Sequence, residues 1–246
     1  MRVVIFLGPS LSLAEAQQIL PATYLPPAAG GDVYKAMRHE PQVIGLIDGL
    51  FEDVPAVRHK ELLHALSCGV HVFGASSMGA LRAAELAAFG MQGVGQIFDS
   101  YAREEFEDDD EVAVNHAAAE LGYRPLSEAM VNLRAGLASA AERGIISVAT
   151  REALIAKSKS AFYSDRSWPA VYAAASALGV PEAEVAGLRA WVATEKPNLK
   201  RDDAVALLRR IAAFTSEARA PHLPNFTFEE HPVWLKLRKA VDDSAA

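Results

Sequence analysis

The sequence predicts an α/β fold: an N-terminal open parallel sheet with flanking helices, followed by an all-helical C-terminal region. Between Val3 and Leu86, short apolar runs alternate with stretches of helical spacing, and this alternation is typical of a parallel sheet covered by helices on both faces. From Pro125 onward, the apolar residues recur only at helical spacing. We therefore expect two domains, an α/β core domain over residues 1–122 and a helical domain over residues 123–246.

The predicted strands are three short apolar runs, each followed by turn residues. They are residues 3–7, 42–47 and 71–73. Helical stretches separate them, and the first begins with a capping box formed by Ser12 and Glu15. The predicted helices of this half are residues 12–20, 32–38, 59–68, a segment that starts at Met78, and a helical piece after Gly95 that runs through Tyr101.

The second half predicts only helices. In the first of them the apolar positions 130, 133, 137 and 141 share one face, and Gly144 provides the stop. The predicted helices are residues 127–143, 150–158, 169–178, 181–193, 202–214 and 232–241.

Composition excludes several classes of protein. Of the 246 residues 51% are hydrophobic, which argues against a disordered chain, and the net charge of −7 argues against nucleic acid or an anionic membrane as the main partner. A single cysteine, Cys68, excludes a disulfide framework, and we interpret it as buried and inert. We see no targeting or membrane-spanning segment and expect a cytoplasmic protein.

The stretch from Gly74 to Leu86 places two serines between a strand and a helix. Small residues make the turn, and Ser77 stands at the centre of a pattern close to G-x-S-x-G, with Ala75 in place of the first glycine. Such an elbow exposes a serine hydroxyl beside helix N–H groups and is typical of a nucleophile, although small residues also suit an ordinary tight turn. Ser76 and Ser77 are therefore candidate site residues.

Three polar turns follow the predicted strands and carry Ser10, Asp48 and Ser77. In a parallel sheet such turns share the edge formed by the carboxyl ends of the strands, where open α/β sheets bind their ligands. We expect these three side chains to line one crevice. The alternative for Asp48 is a plain turn residue before Gly49.

An acidic run, residues 104–111, has seven carboxylates in eight positions. We favour a solvated loop. The alternative is a metal site built from Asp108, Asp109, Asp110 and Glu111 with His116, although the ligand spacing is irregular. We predict a short strand over residues 112–114 that delivers His116 to the sheet edge, within reach of Ser77.

Many separate patches agree in order with one family and cover residues 3–120. They are Gly8-Pro9-Ser10, Pro26-Pro27, Gly31-Asp32, Ile47-Asp48-Gly49, His59-Lys60-Glu61, residues 74–86, Phe89-Gly90-Met91, Gly93-Val94-Gly95 and Asp109-Asp110-Glu111-Val112 with His116. In these patches the sequence resembles the TfuA family, small proteins found alongside YcaO enzymes in peptide backbone thioamidation. The helical second half carries no diagnostic match.

The resemblance implies a sulfur-delivery helper. TfuA-like proteins are thought to supply sulfur while YcaO, using ATP, activates the amide. The implied reaction is hydrolysis of the C-terminal thiocarboxylate of a ThiS-like sulfur carrier, which releases sulfide. The implied partners are the YcaO-type enzyme and the carrier, with the precursor peptide as a third candidate; a homodimer is compatible on general grounds only. We expect no cofactor and no metal ion.

The resemblance and the turn geometry together suggest roles for the site residues. Ser77 would attack the terminal carbonyl, with backbone N–H groups at Met78 and near Ser10 around the anionic centre. The family-like patches offer several bases, and spacing does not choose among them: His116, His59, Lys60, Glu61, Asp48 and Glu111. We favour His116 with an acidic partner and count Asp48 and Glu61 among the catalytic candidates. The expected substrate- or anion-binding residues are Ser10, Ser76, Met78, Arg82, His59 and Lys60.

Two other interpretations stay open. A non-catalytic adaptor would bind the carrier's Gly-Gly tail or dock YcaO with a groove and an apolar patch. A metal-dependent hydrolase would use the acids between Asp108 and His116. Arg82 has an alternative too, as a plain structural bridge to Glu85 at i+3.

Overall fold

A computed structural model describes residues 1–50, 54–195 and 197–243. It confirms the predicted fold class, a parallel N-terminal sheet with flanking helices followed by a helical region. Five strands lie in the described part of the chain: β1 Val3–Phe6, β2 Thr23–Leu25, β3 Val43–Leu46, β4 His71–Ala75 and β5 Gln92–Val94. The α-helices described are α1 Leu13–Ile19, α2 Asp32–Ala36, α3 His59–Ser67, α4 Met78–Leu86, α5 Gln96–Ala102, α6 Met130–Glu142, α7 Val148–Lys159, α8 Trp168–Ala177, α9 Glu182–Glu195, α10 Leu199–Thr215 and α11 Pro232–Asp243.

The sheet is parallel throughout, in the order β2-β1-β3-β4-β5. Strand order reverses between β1 and β3, which pair from Val3 opposite Val43 to Phe6 opposite Leu46. Doubly wound sheets with this order bind ligands at the carboxyl ends of those two strands, because the connecting loops diverge there. The topology therefore singles out the turns after β1 and β3.

Side chains alternate between the two faces of the sheet. On one face Val4, Phe6 and Ile44 pack against α2, α3 and α4. On the other, Ile5 and Val43 pack against α1 and α10. Both strands are fully buried, as expected for a parallel sheet covered on two sides.

Two glycines let α4 approach the sheet closely. A Cβ on Gly79 would lie 1.8 Å from the carbonyl oxygen of Leu46, and one on Gly74 would lie 2.1 Å from the carbonyl oxygen of Gly79. Any larger residue at either position would push the helix away. The N-terminus of α4 is therefore seated directly on β3 and β4.

The chain forms two compact units. The first comprises Met1–Glu107 and Arg201–Ala246, and the second is Asp108–Lys200. The boundary expected at residue 122 falls inside the second unit, and the chain returns to the first unit within α10. The reason is that Leu207, Leu208 and Ile211 of α10 pack on the sheet and supply the cover that α1 alone does not.

The second unit has a core of its own. It is built from α6, α7, α8 and α9 around residues such as Leu133, Leu154 and Leu188. The helices predicted for the second half of the chain are all present, with ends shifted by a few residues.

Some predictions of local structure were wrong. Residues 112–114 are in no strand, and His116 makes only an isolated bridge with Pro125. Cys68 is exposed at the end of α3 instead of buried. Strands β2 and β5 were not predicted. Among the residues that the structure describes, every helix is too short or too polar to cross a membrane.

Candidate active site

The turns after β1 and β3 are joined through one buried carboxylate. The Ser10 hydroxyl donates to Asp48 Oδ1 at 2.6 Å. Both side chains are buried, and Asp48 has no measurable exposure. A hydrogen bond this short to a carboxylate is of the charge-assisted, strong kind. Ser10 and Asp48 thus lie together at the carboxyl edge of the sheet, as the sequence predicts.

The second oxygen of Asp48 is held by the backbone. The N–H groups of Gly8 and Ser10 donate to Oδ2 at 2.8 and 3.1 Å. The turn after β1 therefore forms a small anion-binding nest that Asp48 fills. The Ser10 N–H, expected to face the anionic centre of a substrate, faces this carboxylate instead.

Ser76 completes the cluster and stands at the apex of a tight turn. Its hydroxyl donates to Ser10 Oγ at 2.9 Å. Its φ is +68°, and the N–H of Ser77 donates to the carbonyl oxygen of Ala75 at 2.8 Å. Positive φ with an i to i+2 hydrogen bond defines a classic γ-turn, which is rare and strained. Strain of this kind clusters at functional sites, and here it falls on Ser76, one residue before the predicted centre of the elbow.

Ser77 is the N-cap residue of α4. Its φ and ψ are −111° and −126°, its carbonyl accepts the N–H of Ala80, and its side chain makes no capping bond to the helix. It is 8% exposed, whereas Ser76 is fully buried. The N–H of Met78 has no acceptor among the described residues and is the group available for a developing negative charge at the positive end of the helix.

Arg82, Glu85 and His59 form a separate cluster. Arg82 donates to Glu85 at 2.6 Å and to the carbonyl oxygen of Val57 at 3.1 Å, and His59 Nε2 lies 2.8 Å from the same carboxylate. Burial works to raise the pKa of Glu85, but the hydrogen bonds from His59 and Arg82 outweigh it and the pKa is lowered. These contacts match the structural bridge considered for Arg82.

Glu61 and Lys60 also have partners that are structural in kind. The Glu61 carboxylate accepts the N–H groups of Gly31 at 2.8 Å and Arg58 at 3.1 Å, and so caps the starts of α2 and α3. Burial raises the pKa of Glu61, and these backbone bonds offset only part of the effect. Lys60 Nζ lies 4.3 Å from the ring centroid of Phe228, in a cation–π contact.

His116 belongs to the second unit. Its Nδ1 donates to the carbonyl oxygen of Ala117 at 2.9 Å, and its ring contacts that of Tyr123 at 5.6 Å between centroids. The role of His116 as base stays a prediction.

The first part of the acidic run, residues 104–108, is mostly exposed and lies outside helices and strands, as expected for a solvated loop, whereas the end of the run is an ion-pair cluster. Lys159 Nζ lies 2.8 Å from Asp108 and 2.7 Å from Asp110. Arg166 donates to Asp110 at 2.7 Å, and Arg134 makes two 2.9 Å hydrogen bonds to Glu111. Within residues 1–50, 54–195 and 197–243, no three His, Cys, Asp or Glu side chains gather closely enough to hold a metal ion. Lysine and arginine side chains therefore pair with Asp108, Asp110 and Glu111, three of the carboxylates that a metal site would use.

Sequence reasoning placed Ser10, Asp48 and Ser77 at one edge of the sheet but did not show how the side chains at that edge are bonded to one another. It treated Ser76 as a secondary binding residue, whereas Ser76 is the serine bonded to Ser10. The adjacent serine pair was the available signal, and the pattern alone does not say which of the two takes the strained position.

A comparison with protein families found a match. The family model described as TfuA-like protein matches residues 48–167, which begin at Asp48 and include the elbow. This family is associated with YcaO-dependent thioamidation. A search of curated proteins found no match.

Proposed function

From the TfuA-like region that the chain carries over residues 48–167, we propose that it hydrolyses the C-terminal thiocarboxylate of a ThiS-like sulfur carrier. The sulfide released serves a YcaO-type enzyme in peptide backbone thioamidation. The observation that carries the proposal is the serine pair at a strained strand-to-helix turn, hydrogen-bonded through Ser10 to a buried carboxylate. YcaO, the carrier and the cytoplasm as the place of action are parts of the same proposal.

The cluster offers the three things that acyl transfer needs. A serine hydroxyl supplies the nucleophile, Asp48 supplies a proton acceptor within two hydrogen bonds, and the N–H of Met78 supplies a donor at a helix N-terminus. No histidine is needed for this arrangement, in contrast to the favoured prediction from the sequence.

The first test measures sulfide release from a purified thiocarboxylated ThiS-type carrier without YcaO. We expect release by the intact protein and a loss of about a thousand-fold or more in the double variant Ser76→Ala/Ser77→Ala, because truncating a catalytic nucleophile has effects of at least that size. Ser67→Ala is the matched control, since the Ser67 hydroxyl donates to the carbonyl oxygen of His64 inside α3. Equal sulfide release by the double variant and the intact protein would contradict the serine mechanism.

The burial of the cluster favours a second candidate function. Ser10, Asp48 and Ser76 are each less than 5% exposed, which suits a fixed polar core beneath a binding surface as well as a covered active site. In that case the chain is an adaptor for the carrier or for YcaO. Carrier binding by the intact protein without any sulfide release would select this function.

A further inference from the structure

We infer that Ser76 is the attacking serine and that Asp48 accepts its proton through Ser10. This inference rests on the proposed function and assigns the roles within the same site. It replaces Ser77 as the nucleophile and His116 as the base, the two roles expected from the sequence.

The direction of the hydrogen bonds carries the assignment. Ser76 donates to Ser10 at 2.9 Å, and Ser10 donates to Asp48 Oδ1 at 2.6 Å. Each hydroxyl donates its hydrogen bond in the direction of the carboxylate. A proton that leaves Ser76 therefore has a continuous hydrogen-bonded path to Asp48. The other oxygen of Asp48 is fixed by the N–H groups of Gly8 and Ser10, which keeps Oδ1 aimed at the Ser10 hydroxyl.

The partners of Asp48 differ from those of the carboxylates in the acidic run. Among the described residues, no Lys, Arg or His lies within ion-pair distance of Asp48, whereas cations face Asp108, Asp110 and Glu111. A carboxylate paired with a buried guanidinium holds its charge strongly and takes up a proton reluctantly. Within the part of the chain that the structure describes, Asp48 is bonded by neutral donors alone, so accepting a proton breaks no ion pair.

The backbone strain selects Ser76 over Ser77. In a nucleophile elbow the attacking serine occupies the strained position between strand and helix, and φ is +68° at Ser76 but −111° at Ser77. The turns that carry Ser10 and Asp48 are partly exposed at Gly8, Pro9 and Gly49. Ser76 is fully buried, so a substrate carbonyl reaches it only when these turns separate. That constraint favours a substrate that ends in glycine, since such a tail has no side chain to accommodate.

The hydrogen-bonded relay from Ser76 through Ser10 to Asp48 also supplies a proton to the leaving sulfur. Ser76 Oγ bonds to the carbonyl carbon of the thiocarboxylate while its proton moves to Ser10 and the Ser10 proton moves to Asp48. When the C–S bond breaks, the proton on Asp48 returns through Ser10 to the sulfur, which leaves as hydrosulfide instead of as the far more basic S²⁻. Water then hydrolyses the Ser76 ester, which restores the serine and gives a carboxylate-terminated carrier and one proton.

The first experiment uses single variants of the full chain and measures sulfide release from the thiocarboxylated carrier. We expect Ser76→Ala to abolish release, Ser77→Ala to keep it within about tenfold, and Ser10→Ala to lose about a hundred-fold, the lower end for removing general-base help. Ser10→Thr restores the hydroxyl and is expected to return most of that loss, a rescue that a merely structural role for Ser10 does not predict. Unchanged release by Ser10→Ala overturns the relay.

The second experiment does not depend on whether any variant folds. The intact protein is treated with a glycylglycyl fluorophosphonate, and the modified residue is located by mass spectrometry. An adduct on Ser76 supports the inference; an adduct on Ser77, or none, overturns it. The two levels of failure are distinct, because absence of sulfide release by the intact protein overturns the proposed function, whereas release with the wrong serine labelled overturns only the assignment.

Discussion

Two carboxylates, one in each compact unit, have opposite surroundings: Asp48 is fully buried, and the Asp110 side chain is 31% exposed. Asp48 in the sheet unit is bonded by two backbone N–H groups and one hydroxyl. Asp110 in the helical unit is bonded by the Arg166 guanidinium and the Lys159 ammonium. Burial works to raise the pKa of Asp110, but these two cations reverse the effect and lower it.

The difference separates a carboxylate that can act on a proton from one that holds the fold. Arg166 is almost fully buried and also donates to the carbonyl oxygens of Ser158 and Ala161, so it ties the acidic run to the end of α7. Its charge needs Asp110 to stay ionised. Among the described residues no cation faces Asp48, whose Oδ1 accepts from a serine that is itself bonded to Ser76. Aspartate therefore has a different role in each unit: Asp48 belongs to the proposed proton path, and Asp110 stabilises the fold.

The largest expected effect concerns Asp110, the carboxylate to which we assign a structural role. Arg166→Met is expected to lower the free energy of unfolding by about 2 to 4 kcal/mol, because several carbonyl oxygens lose the buried guanidinium that donates to them. Asp110 keeps its second cation, Lys159. Urea unfolding measures the loss. Arg151→Met is the matched control: that arginine pairs with the exposed Glu152, so we expect a change of about 0.5 kcal/mol or less.

Sulfide release, assayed well below the melting temperature of the variant, is expected to stay unchanged in Arg166→Met. A parallel loss of activity would contradict the separation of roles between the two units.

A pH experiment sharpens the comparison within the sheet unit. Asp203, like Asp48, accepts two backbone N–H groups, those of Gln96 and Ile97 at the start of α5, but no hydroxyl bond. Burial raises the pKa of Asp203 from 3.8 to about 6, with the two N–H bonds opposing the shift. Because the folded pKa lies above the unfolded one, the folded state binds more protons, and stability falls as pH rises between about 4 and 6.

We therefore expect the difference in unfolding free energy between the intact protein and Asp203→Asn to shrink, or to reverse, as pH rises from 4 to 7. The total change is roughly 3 kcal/mol at most, since each pKa unit corresponds to about 1.4 kcal/mol. Urea titrations at several pH values measure it. Ser216→Ala is the control, because neither residue titrates and its difference from the intact protein stays flat. A flat profile for Asp203→Asn is the contrary outcome.

The smallest expected effect compares helix caps in the two units. Ser12 accepts the Glu15 N–H at 3.3 Å, whereas Ser147 accepts the Thr150 N–H at 3.1 Å and also bonds the Thr150 hydroxyl at 2.9 Å. We expect Ser147→Ala to cost about 1 to 2 kcal/mol and Ser12→Ala about 0.5 to 1 kcal/mol, in line with cap substitutions generally. Thermal unfolding of the two variants side by side gives the ranking, and the reverse order would show that cap geometry does not decide the cost.

Local patterns predicted most of the elements, and the misses have physical causes. Strands β1, β3 and β4 are apolar runs that end in turns, which a single sequence reveals well. Strands β2 and β5 have three residues each, and β5 contains Gly93, so neither carries a periodic signal. The return of α10 to the sheet was also hidden, because an amphipathic helix shows that one face is buried but not against which core.

The sequence by itself determined that Ser10, Asp48 and the elbow serines share one sheet edge, since parallel strands place all their carboxyl ends together. Only the tertiary structure decided which hydroxyl meets which oxygen. The spacing of residues along a chain does not encode the sign of φ at Ser76 or the approach of α4 to the Leu46 carbonyl that Gly79 permits. Those features arise from packing between segments far apart in sequence, and they set the order Ser76, Ser10, Asp48 in which the cluster is bonded.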